Sequence, residues 1–212
     1  MSGLLALGLI SALSASTITL PAPHAPGQRL ALHCIAPAHA NGRSVLFVHG
    51  ASFPTLLAFG FEFAPGDSWM SHMAQQGFLV CGLDFLGFGA SSRPAAMARP
   101  AQAAAPVTRA TEAAQEIAVA VDYLRQTRRM SHVHLVAHSW GTIPAATFTA
   151  EHPGALASLT LFGPVVAKAG ASAEALPGAW WTITAEARYQ QLRFKDVLPV
   201  GLTLLEPAVA QR

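Results

Sequence analysis

The sequence predicts an α/β fold, a mostly parallel sheet with helices on both faces, and three observations carry that prediction. From residue 17 onward strand-like runs alternate with helix-like stretches, as in consecutive βαβ units. Ser44–Val48 is an almost continuous apolar run, of the kind buried on both sides of a parallel sheet. Residues 133–142, V-H-L-V-A-H-S-W-G-T, pass from strand character directly into a helix-like stretch that continues to Glu151.

The elements follow in order. Thr17–Leu20 is a short strand and Arg29–Ile35 a second, with His33 on an apolar stretch as a satisfied strand residue rather than a ligand. Ser44–Val48 is the third strand and ends in H-G-A-S. Asp67 is positioned to cap a helix over 68–76, with Trp69, Met70 and Met73 on one face and Gly77 as its stop. Phe78–Phe85 is the next strand, and it exits into the turn-rich D-F-L-G-F-G-A-S-S-R-P.

Residues 90–107 are rich in Ala and Pro, show no apolar period and read as a long loop. Thr108 then caps a helix to about Arg129, whose stripe of Ala110, Ala113, Ala114, Ile117, Val121 and Leu124 is suited to cover the sheet. After residues 133–151, a stop at Pro153-Gly154 precedes a strand at Ser158–Phe162. Beyond Gly163 the alternation ceases. Lys168–Gly178 reads as a linker, 180–194 as one amphipathic helix with Trp181, Ala185, Arg188 and Leu192 at helical spacing, and 198–211 has no period.

Ser139 is the residue that this pattern presents. It stands at the tip of a strand, just before a helix, where the turn is so tight that only small residues fit two positions away on either side. Ala137 and Gly141 meet that demand. A serine hydroxyl is a weak nucleophile at neutral pH, and an imidazole oriented by a carboxylate must take its proton. His152 is the one histidine after Ser139. A helix of about 10 residues is about 15 Å long, which puts His152 at the far end from the hydroxyl. The later acids, Glu151, Glu174, Glu186, Asp196 and Glu206, follow no recognisable strand.

Composition narrows the setting. The 212 residues suffice for one sizeable core, and charged residues make up only 11% against an apolar 52%, so the surface is sparsely charged. The net charge of +2 and a single basic cluster, Arg125, Arg128 and Arg129 at a helix end, argue against nucleic-acid binding. No apolar run reaches the roughly 18 residues of a membrane-spanning helix. Residues 1–16 carry the apolar block of a signal peptide without its positive start, so they read either as such a leader or as an N-terminal extension, with the cytoplasm slightly favoured over secretion. Cys34 and Cys81 read as small buried hydrophobes, too few for a disulfide framework.

Three motifs together resemble the α/β-hydrolase superfamily of serine nucleophiles: V-L-F-V-H-G-A at 45–51, G-L-D-F-L-G-F-G-A-S at 82–91 and V-A-H-S-W-G at 136–141. The resemblance implies a hydrolase core over 17–163, a partial cap over 164–212 and a C-terminally truncated fold that lacks the strand of the triad acid and the loop of the triad histidine. It makes Ser139 the nucleophile and the backbone N–H groups of Ala51 and Trp140 the oxyanion donors. His49, Gly50, Ala137, His138 and Gly141 become structural, the two histidines holding loops by hydrogen bonds, and Asp84, with Ser91, Ser92 and Arg93, fixes the glycine turn that follows it. It also sets the Cys34 and Cys81 strands side by side, which leaves an inter-strand disulfide open.

Trp140, with Phe53, Phe59, Phe61 and Phe63, is a candidate lining for a site that takes a small apolar or aromatic ester. The expected activity is acyl-ester hydrolysis through an acyl-enzyme, with no metal or organic cofactor and impaired in this chain by the missing acid and histidine. Lactone, carbon–carbon and peroxide chemistry stay open within the same branch. The alternative is a non-catalytic binding module or a truncated product.

Overall fold

A computed structural model describes residues 13–166 and 178–192. Six strands form one sheet in the order β1-β2-β4-β3-β5-β6. They are β1 (Ser14–Pro21), β2 (Arg29–Ala36), β3 (Arg43–Val48), β4 (Leu79–Asp84), β5 (His132–His138) and β6 (Ser158–Phe162). β2 runs antiparallel to both β1 and β4, while β4, β3, β5 and β6 are mutually parallel. The mostly parallel α/β sheet expected from the alternation is thus the observed architecture. β1 begins at Ser14, three residues before the expected start, because pairing with Ala36, Ile35 and Cys34 extends the strand.

Alternating side chains of the central strands feed two cores. Leu46, Val48, Leu83 and Leu135 point to the side covered by α3 (Ala110–Asp122) and α4 (Thr142–Glu151), which contribute Ile117, Val121, Ala145 and Phe148. Val45, Phe47 and Val80 point to the other side, where they meet Met70 and Ala74 of α2 (Trp69–Gln75) and Phe59, just past α1 (Thr55–Ala58). This second core is smaller. Leu161 and Phe162 of β6 remain exposed, and nothing among the described residues pairs with the outer edge of that strand.

Several local expectations are corrected. Ser68, not Asp67, caps α2 by accepting the Ser71 N–H, and the Asp67 carboxylate instead accepts the N–H groups of Phe63 and Ala64. Thr108 does not cap α3. Arg109 occupies the N-cap position, its N–H is taken by the Glu112 side chain, and the Thr108 hydroxyl is buried without a partner. The helix runs on as a wider π turn over 123–127. Where 180–194 was expected to be one helix, α5 (Ala185–Leu192) starts five residues later, since 180–184 lies against the loop at 99–101, with Trp180 Nε1 donating to the Arg99 carbonyl; 193–194 lie outside the described residues. The linker at 168–177, the tail at 198–211 and most of 1–16 lie outside the described residues.

The cysteines are the largest correction. Both are buried, yet they are not free thiols: Cys34 and Cys81 face each other across β2 and β4 and form a disulfide. Composition could not indicate it, because the residues are 47 apart in sequence and only strand order makes them neighbours. Closing a loop of that size restricts the unfolded chain, an effect worth about 2 to 4 kcal/mol. Thiol titration of unreduced, denatured protein should therefore find no free cysteine. Reduction, or Cys34→Ala with Cys81→Ala, should lower unfolding stability by about that amount in a denaturant titration.

Candidate active site

Val48 and Ala137 pair in parallel register, so the chains leaving β3 and β5 emerge level at one edge of the sheet. There the two loops touch. A Cβ on Gly141 would lie 2.3 Å from the His49 carbonyl oxygen, and one on Gly50 would lie 2.9 Å from the Ser139 Cβ. The glycine that the sequence places two positions after Ser139 is thus required by the close approach of the His49 backbone. Ser139 itself has φ of 53°, a left-handed conformation that costs a non-glycine residue about 1 to 3 kcal/mol. Thr142 opposes that cost by donating its hydroxyl to the Ser139 carbonyl at 2.6 Å, from the first turn of α4.

The histidines beside this contact have settled roles. His49 is fully buried; its Nε2 accepts the Phe85 N–H at 3.1 Å, which leaves the proton on Nδ1 to be donated to the Gly50 carbonyl at 2.6 Å. Burial pulls its pKa down, against opposing pulls from the Gly50 carbonyl and Asp84. His138 differs from expectation. It holds no loop by hydrogen bonding among the described residues; its ring stacks on Phe162 and meets Phe59 edge-on, and burial lowers its pKa too. All nine histidines of the sequence are described, and none is hydrogen-bonded to the Ser139 hydroxyl. His152 sits at the far end of α4, bonded to the Phe148 carbonyl.

Asp84 is an acceptor hub. One carboxylate oxygen takes the Thr55 N–H at 2.8 Å, and the other takes His33 Nε2 at 2.8 Å and the Ala90 N–H at 2.9 Å. Gly89 follows from this, because a Cβ there would sit inside the Asp84 carboxylate. Burial by itself would raise the Asp84 pKa, but the three hydrogen bonds outweigh it and bring the group down to about 2. The imidazole that reaches this acid, His33, is itself held from the other side by Thr17 at 3.1 Å. Ser91 and Ser92 complete the turn by accepting the Ala31 and Arg29 N–H groups of β2.

A second buried carboxylate was not foreseen. Glu116 of α3 accepts the Leu86 N–H at 3.0 Å and lies 2.5 Å from His24 Nε2, so it pins the same exit loop from beneath. Its signal was present: a lone acid between Ala113 and Ile117 on an apolar helix face. Burial raises its pKa.

Above these loops lies a cavity of about 450 Å³. Ala51, Ser52 and Trp140 form the wall nearest the elbow, while the Ser139 side chain itself is not part of the lining. Phe85, Leu86, Phe88, Pro94, Met97 and Val107 supply another wall, and 179–183 with Trp180 and Trp181 the outer one. Of the expected aromatic lining only Trp140 is found there. Phe59 is buried in the smaller core against Phe47 and Trp69, Phe61 and Phe63 pack on each other at the surface, and Phe53 lies near Arg188.

The class of protein follows from this elbow, its partner loop and the strand order. A family model for the alpha/beta hydrolase fold matches residues 44–202, and the chain belongs to that family. No curated protein matches the sequence. Among solved structures, a "predicted CIB-like hydrolase" from Thermoplasma acidophilum is similar at 18% identity and TM-score 0.51, covering 72% of this chain and 64% of its own. An esterase from Pyrococcus furiosus is 12% identical at TM-score 0.52, covering 72% and 52%. A haloalkane dehalogenase from Bradyrhizobium elkani is 20% identical at TM-score 0.51, covering 72% and 43%. At these identities the likeness shows the fold alone, and the chain spans less than two thirds of each neighbour's length.

The hub geometry fixes how this edge responds to acid. Because the Asp84 carboxyl of the folded state sits near 2, below its ordinary 3.8, the unfolded chain binds more protons between those values. Its stabilisation is complete above about pH 4 and should be lost as pH falls from there toward 2. Asp84→Asn turns an amide N–H donor toward groups that are themselves N–H donors and should cost about 3 to 5 kcal/mol in a urea titration at pH 7, with a flatter acid limb than the parent.

Proposed function

We propose that the chain is a serine hydrolase in which Ser139 attacks the carbonyl carbon of a small apolar or aromatic ester. The observation that carries this reading is the strained Ser139 backbone at the β5–α4 elbow, in contact with Gly50 and adjoining an apolar cavity. In the reaction Oγ forms a bond to the carbonyl carbon, and the carbonyl oxygen takes the negative charge. The N–H groups of Ala51 and Trp140 are the proposed donors to it, worth about 3 to 4 kcal/mol each to the transition state. The alcohol leaves, and water then releases the acid from the acyl-enzyme.

The proton of Ser139 needs a base, and no histidine touches the hydroxyl. Turnover by this chain is therefore proposed to be weak, which also keeps the non-catalytic binding module as the second reading. We take 94–108 and 179–183 together as the cap of the cavity. The Cys34–Cys81 bridge supports an oxidising compartment over the cytoplasm.

A fluorophosphonate probe should label the 212-residue protein at Ser139, found by peptide mapping, and should fail to label Ser139→Ala. Equal labelling of that variant would overturn the assignment. Aryl-ester hydrolysis should stay near the roughly 10³- to 10⁴-fold over water that an oxyanion site and binding supply without a base. Rapid turnover abolished in Ser139→Ala would instead put a base within reach of the hydroxyl.

A further inference from the structure

Among the described residues, Arg188 is a guanidinium without a counter-ion. It lies on α5, half buried, and no carboxylate of the described residues approaches it within salt-bridge distance. Of its five N–H donors, one Nη2–H goes to Ser52 Oγ at 2.6 Å and one Nη1–H to Gln191 Oε1 at 2.7 Å. Nε is buried with no hydrogen-bond partner among the described residues. The rings of Phe53 and Trp181 lie 6.0 and 5.9 Å from the guanidinium carbon, within cation–π range. Such faces attract a cation but leave its N–H groups unsatisfied, and an orphaned buried donor is costly.

The position of this group gives it meaning. Of the residues that Arg188 touches, Ser52 and Trp181 line the cavity while Phe53 and Gln191 lie outside its lining, and Ser52 directly follows Ala51 of the proposed oxyanion loop. We propose that Arg188 anchors an anionic end group of the substrate at the rim of the cavity. The substrate is then an ester with an apolar or aromatic body, lodged against Trp140 and Phe88, and a carboxylate or phosphate at its outer end. The unused Nη1–H and Nη2–H groups match the two oxygens of such an anion, which arginine recognises in a fork. This inference rests on reading the cavity as the substrate site.

Binding can be followed without turnover, because Trp140, Trp180 and Trp181 all line the cavity and report occupancy by fluorescence. Three probes share one apolar body: 4-phenylbutyrate, its neutral amide, and 3-phenylpropyl phosphate. The parent protein should bind at least one anion roughly 10- to 100-fold more tightly than the amide, the range expected of charge-assisted hydrogen bonds. Arg188→Gln should erase that preference while binding the amide as before, and Arg188→Lys should restore only part of it. The tighter of the two anions identifies the end group. Equal binding of anions and amide by the parent, or a preference that survives in Arg188→Gln, would overturn the proposal. Loss of amide binding in Arg188→Gln would also overturn it, since the side chain would then be shaping the cavity. The Ser139→Ala variant should keep the preference. Failed probe labelling with the preference intact would sink the nucleophile alone, and intact labelling with no preference would sink the anion site alone.

Discussion

Everything at this edge of the sheet depends on the contact between the loop after β3 and the turn after β5. The His49 carbonyl and the Gly141 backbone approach so closely that no side chain fits between them. Parallel register makes the approach available by delivering both chains to the same level, and a glycine on each loop lets them close. The left-handed Ser139 is the consequence. With Thr142 bonded below it and Gly50 against its Cβ, the serine is held in a conformation that it would not adopt in isolation.

Two buried carboxylates extend this rigidity sideways. Asp84 ties the end of β4 to β2 through His33, to α1 through the Thr55 N–H and to its own following turn through the Ala90 N–H. Glu116 holds the middle of that turn from α3. Neither acid faces a vacant proton partner, so both are better understood as anchors than as general acids. Their common product is a fixed path for residues 85–88, which form one wall of the cavity. Every backbone N–H in this wall has a partner, Phe85 on His49, Leu86 on Glu116, Gly87 on the Ser92 carbonyl and Phe88 on the Phe85 carbonyl, and leaving any such buried group unpaired is costly.

What the sequence revealed and what it hid separate by range. The strand alternation, the elbow at Ser139 and the need for small neighbours at Ala137 and Gly141 are local constraints, written in adjacent residues. The Cys34–Cys81 bridge, the His33–Asp84 bond and the burial of Phe59 depend on strand order and on which side of the sheet a residue meets. The four phenylalanines after the β3 loop illustrate the limit. All are apolar and close in sequence, yet one fills the smaller core and three lie exposed at the surface. The caps failed for a related reason. Asp67 and Thr108 are sound capping residues by type, but Ser68 and Glu112 stood one position or one turn nearer to the free N–H groups.

The cavity walls differ in how they are held, and the difference bears on specificity. The inner wall belongs to the sheet edge and its anchored turns. The outer wall, 179–183, joins the loop at 99–101 through the Ala179 N–H to Ala101 and the Trp180 indole to Arg99. Arg188 then links α5 to Ser52, and so couples this outer wall to the loop that carries Ala51. The outer wall is thus tied to the fold by a few polar bonds, while the segments that hold Ser139 are tied by backbone contact and buried polar side chains.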